Sequence, residues 1–284
     1  MTRTLSPLLA LLLLTPACGK KQPDTTNPED ATAGDTTGDP TATSPDDPPA
    51  ETAPPQDPDP AELAEGVHQV LTGHYEEGIA ILEPIHSGMT EPSQYRARGL
   101  AGGWLAVAHA QIVFENAEGP ANVALEMADK LQDPEVDAVA KLGRGAFLLA
   151  QEDYAAAKEA FQAASTASPE SAPGIYAQVL HGEALIGAAF GQASNTQLEN
   201  PADLDEAKVH YEAAAAAAGG SADPEILLGR AKEGLAAVAK IKRDQEALCK
   251  NAVEAVGHYQ AAKASTFLVD GPSRLASDAK CDKK

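Results

Sequence analysis

From Ala61 to about Ala264 apolar residues recur at intervals of three and four, as in Leu204, Ala207, Tyr211 and Ala214. That spacing lays one apolar stripe along a helix, so the stretch is expected to fold as helices packed stripe against stripe. Nothing in it reads as a run of alternating strands. Breakers divide it into helices of ordinary length, at Gly73, Gly88, Gly119 with Pro120, Asp133 with Pro134, Ser168 with Pro169, Gly219 with Gly220, and Asp223 with Pro224. Composition agrees: aromatics are 4% of residues and alanine is abundant, which suits close helix packing better than a β-sandwich.

The helices come in pairs, near 61–87, 92–131, 134–168, 173–218 and 223–263. The clearest pair runs from Pro134 to Pro169. Its second helix carries Tyr154, Ala157, Phe161 and Ala164 and ends at Pro169, and its first carries Gly145 nine residues before Tyr154. Fainter echoes are Gly66 nine residues before Tyr75, followed by Gly78 and Leu82; Gly102 ten residues after Pro92; and Leu228, Gly229 and Ala231. This spacing resembles the tetratricopeptide repeat, in which a small residue in the first helix lets the second approach and an aromatic fills the contact. The resemblance implies an all-α, right-handed α-solenoid of about five antiparallel pairs, a build that presents binding surfaces. Several pairs exceed the usual repeat length, and the run GQASNTQLEN interrupts the fourth. In the repeat's register Val139, Leu142, Ala146 and Leu149 line a concave partner groove; the alternative is that neighbouring helices bury them as core. Repeats that clamp a terminal carboxylate use Lys and Asn at such positions, and this chain does not, so the expected guest is an apolar or amphipathic helix.

The two ends are unlike the middle. Arg3 precedes the apolar run Leu8–Leu14, and small residues lead to Cys18. Residues 1–17 therefore read as an export signal too short to span a bilayer permanently. The segment resembles a bacterial lipobox, although Thr15 stands where that motif usually has Leu, and Pro16 follows. Lipid attachment at Cys18 is favoured over simple cleavage after Ala17. It implies a cell-envelope lipoprotein, anchored in the outer membrane and facing the periplasm, since Gly19 gives no inner-membrane retention signal. Residues 18–60 hold Pro, Thr, Asp and Gly with almost no large apolar side chain, and read as a disordered acidic linker. With Cys18 lipidated, Cys249 and Cys281 remain as a pair for a disulfide, or as two free thiols. The tail 265–284 loses helical periodicity, which predicts a short extended piece at Phe267–Val269 and a turn at Asp270, Gly271 and Pro272.

Chemistry is sparse. The seven histidines, His68, His74, His86, His109, His181, His210 and His258, show no metal-ligand spacing, and there is no nucleophile elbow or phosphate loop. No catalytic residue, metal, cofactor or small-molecule substrate is expected. The net charge of -21 repels nucleic acid. It is also uneven: residues 61–207 hold 22 acidic and 6 basic side chains, and residues 208–284 hold 10 and 12. The acidic first half is either a solvated face or a recruiting surface for a basic partner. The function expected is a protein-interaction scaffold, of the kind that assists assembly of envelope machines; the alternatives are an envelope hydrolase or a surface-exposed binding lipoprotein.

Overall fold

A computed structural model describes residues 54–190 and 198–281. The expected signal segment, Cys18, most of the expected linker and most of the GQASNTQLEN run lie outside the described residues. Within them are eleven α-helices and no strand: α1 Ala61–Leu71, α2 Tyr75–Gly88, α3 Tyr95–Ile112, α4 Glu118–Leu131, α5 Pro134–Ala150, α6 Tyr154–Ala167, α7 Ala172–Phe190, α8 Pro201–Ala218, α9 Pro224–Lys242, α10 Gln245–Ala261 and α11 Thr266–Asp278. The first ten pack as five consecutive pairs, and the first helices of successive pairs also touch.

The boundaries follow local chemistry. Asp133 caps α5 by accepting from the Glu135 and Val136 amides, with Pro134 at the first position, where no N–H is needed. Asp153 and Asp244 cap α6 and α10 by accepting from Ala156 and Ala247. Gly73, at φ 81°, makes the turn from α1 to α2 in a conformation other residues adopt at a cost. Gly119 and Pro120 do not separate helices; they lie in the first turn of α4, and a 3-10 turn at Phe114–Asn116 makes the break instead.

Small residues set the distances between helices. A Cβ at Gly145 would sit 2.5 Å from the Phe161 ring, so α6 can lie against α5 only because that hydrogen is there. The same arrangement recurs at Gly66 under Leu82, Gly182 under Tyr211 and Gly229 under Tyr259. Ala157, Phe161 and Ala164 are fully buried, Tyr154 packs onto Gly187 of the next pair, and Pro169 is exposed in the turn after α6.

Two expectations are corrected. Residues 54–60 are not part of a free linker: Asp57 and Gln56 bond the backbone around Pro92 and Ser93, and Arg96 pairs with Asp59, Asp133 and Glu135. A cation with three carboxylate partners holds a segment whose own apolar content could not. The tail does not run extended into a turn either. α11 continues through Asp270, Gly271 and Pro272, although Pro272 cannot donate to the Leu268 carbonyl. Burial of Leu268, Gly271 and Pro272 against the preceding helices outweighs that lost bond.

The row of pairs closes on itself. The Ser265 amide donates to the Thr72 carbonyl at 2.9 Å, His68 bonds Asp223 at 2.7 Å, and the Tyr75 and Phe267 rings meet edge to face. The first pair thus touches the last, whereas in an open solenoid each pair touches only its neighbours.

Candidate functional site

Packing between neighbouring pairs decides what becomes of the expected groove. Val139, Leu142, Ala146 and Leu149 are 1%, 0%, 3% and 6% exposed. Gly103 of α3 lies directly against Val139, and Gly143 against the Gly103 carbonyl, so α3 and α5 approach too closely for a guest to enter. This corrects the groove assignment: the four residues are core.

The interior is filled by a column of stacked groups. Trp104 stacks on Tyr176 with ring centres 6.1 Å apart, and the Arg230 guanidinium lies 5.4 Å from the Tyr176 ring on its way to the first pair. There its Nη2 donates to the Leu71 carbonyl at 3.3 Å and the Tyr75 hydroxyl at 3.0 Å. Arg230 is buried, and such a charge persists only when paired or hydrogen-bonded. Two carboxyls share its field. Burial pushes Glu183 up to about 7, with Arg230 pulling it back and Glu233 adding to the rise. Burial also raises Glu233, which accepts from the Tyr259 hydroxyl at 2.5 Å. These groups join α1, α2, α7, α9 and α10.

A second polar cluster lies on α7 and α8. His181 and His210 stack with ring centres 3.9 Å apart, and Glu206 stands one turn before His210. One nitrogen of each ring and a carboxylate oxygen of Glu206 all lie within 4.8 Å of one another. His181 is buried, with its Nδ1 lacking a hydrogen-bond partner; His210 is half-buried and Glu206 exposed. His210 Nδ1 meets the Gln178 Oε1 at 2.5 Å. An amide oxygen only accepts, so Nδ1 carries the proton and Nε2, 3.9 Å from Glu206, keeps a free lone pair. Burial, with help from His210 and Lys158, pushes His181 down to about 4, and burial lowers His210 against the pull of Glu206. Both rings are therefore neutral at pH 7. The cluster opens onto a surface hollow lined by Lys158, Glu159, Gln162 and Ala163.

Sequence reading missed this group. Glu206 and His210 sit at the four-residue spacing that shares a helix face. The third member comes from 25 residues earlier, and only the pairing of α7 with α8 brings it alongside.

Cys249 at the start of α10 and Cys281 after α11 are joined in a disulfide, with Cα atoms 5.2 Å apart. Gln245 donates to the Ala279 carbonyl beside it. No helix among the described residues is long and apolar enough to cross a membrane. No protein-family model matches the chain, and no match was found among curated proteins or solved structures.

Proposed function

We propose that the chain is an exported, lipid-anchored protein of the bacterial cell envelope whose helical domain is a protein-interaction scaffold. The observation that carries this reading is the Cys249–Cys281 disulfide, because such bonds persist in oxidising compartments and are rare in the cytosol. It agrees with the signal segment and with Cys18 as the lipid-bearing residue. Helix order supports a tetratricopeptide-like repeat, since each first helix packs on its own second helix and on the next first helix; its right-handed sense is what the sequence resemblance implies. The filled interior moves the partner to the outside, where the acidic first half recruits a basic or amphipathic protein segment. Outer-membrane anchoring, facing the periplasm, is the placement proposed.

The test follows the protein in cells. Cys18→Ala is expected to give unprocessed precursor or released, folded protein, while the unaltered chain fractionates with the membrane. Retention of a correctly cleaved Cys18→Ala chain in the membrane overturns the anchor. Photo-crosslinkers placed on the exposed acidic helices should capture one recurrent partner, and capture should fall as salt rises.

A further inference from the structure

We propose that His181, Glu206 and His210 bind one divalent transition-metal ion, zinc foremost, with a fourth coordination position open to the hollow beside them. Two imidazoles and a carboxylate are a recognised donor set for zinc sites that keep a position for water or substrate. Borderline-soft nitrogen with one hard oxygen selects zinc and its neighbours over magnesium or calcium.

The donor spacings are close to what an ion requires. Tetrahedral ligands at zinc–nitrogen lengths near 2.0–2.1 Å stand about 3.3 Å apart. His210 Nε2 and Glu206 already approach to 3.9 Å, and all three donor atoms fall within 4.8 Å. Two movements complete the site: Glu206, the exposed end of a flexible side chain, closes in, and the His181 ring turns out of its stack on His210, because rings 21° apart point their in-plane lone pairs side by side.

Two further features point to a ligand. The Gln178 bond to His210 Nδ1 fixes that ring with its other nitrogen toward Glu206, the outer-shell contact that metal-bound histidines characteristically make. His181, 5% exposed, keeps a buried ring nitrogen without a hydrogen-bond partner. Buried polar atoms are nearly always satisfied, and this one belongs to a ring that offers a donor within 4.8 Å of the other two, so turning that ring onto an ion breaks no hydrogen bond at this nitrogen. The hollow keeps the fourth position reachable from solvent, with Lys158 and Glu159 at its rim to meet a bound water or an incoming group.

The experiment uses the full chain without a histidine tag, stripped with chelator and titrated with zinc chloride by calorimetry. Cobalt(II) serves as an optical probe of four-coordinate geometry. One equivalent should bind with micromolar affinity or tighter, and cobalt should give visible bands. Glu206→Gln should weaken zinc at least about tenfold and abolish the cobalt bands, and Gln178→Ala should weaken zinc by about tenfold through loss of ring orientation. Glu206 is exposed, so its variant keeps the fold, as circular dichroism will verify. His210→Gln is a second ligand variant with the same expectation. Uptake of less than half an equivalent overturns the site. So does uptake that Glu206→Gln leaves unchanged, since the ion then sits elsewhere.

Discussion

A guanidinium inside an alanine-rich core needs both hydrogen bonds and opposite charge: Arg230 takes its hydrogen bonds from the first pair, and the carboxyls near it are Glu183 of the fourth pair and Glu233 of its own helix. The carboxyls drawn into its field are held unlike ordinary ones, and Glu183 makes this measurable. Its folded-state value of about 7 lies above the ordinary 4.5. The fold therefore favours the protonated form, and this contribution to stability is complete below about pH 4.5 and is lost as pH rises through 7. Glu183→Gln fixes the neutral form. It should leave unfolding by urea nearly unchanged at pH 4 and raise stability by about 1–3 kcal/mol at pH 8. His181 runs the other way: with a folded value near 4, its contribution is present above pH 6.5 and is lost as pH falls toward 4. Comparing the variant with the parent at each pH cancels that term. None of these burials was legible in the sequence. Arg230, Glu183 and Glu233 look like surface residues of amphipathic helices; contacts from the first pair help take Arg230 out of solvent, and the two partly buried carboxyls share its field.

Elements were far more legible than their contents. Breakers and periodicity mark the five pairs to within a few residues, because a helix's apolar stripe and its cap are both local. Gly145 under Phe161 could also be read, since their spacing lies within one pair. Contacts between pairs could not: nothing near Val139 in the chain announces that Gly103 will lie against it. Gly103→Ala should accordingly be costly. A Cβ there would stand 2.6 Å from the Val139 carbonyl oxygen and 2.8 Å from its carbon, backbone atoms that cannot step aside. The expected loss is about 1–3 kcal/mol in denaturant unfolding. Gly88→Ala, which meets nothing within 4 Å, should stay within about 0.5 kcal/mol of the parent. At α11 the local reading failed outright, since Asp270, Gly271 and Pro272 spell a turn and tertiary burial overrides them.

For the molecule as a whole, the disulfide and the closing contacts work together. The bridge closes a loop across a sequence separation of 32 and fixes α11, whose other end carries the Ser265 bond to Thr72. Cys249→Ser with Cys281→Ser should cost about 3–4 kcal/mol by loop entropy. Limited proteolysis should then cut first around α11 rather than in the middle pairs. Closure also bears on how such a chain can change over generations. An open array can gain or lose a repeat by duplication or deletion and only become longer or shorter. Here an added pair would part Thr72 from Ser265 and draw Arg230 away from Leu71 and Tyr75, so five is a number set by circumference. Descendants of this chain are therefore expected to vary in their surfaces and interruptions, as at GQASNTQLEN, while the tally of pairs stays fixed.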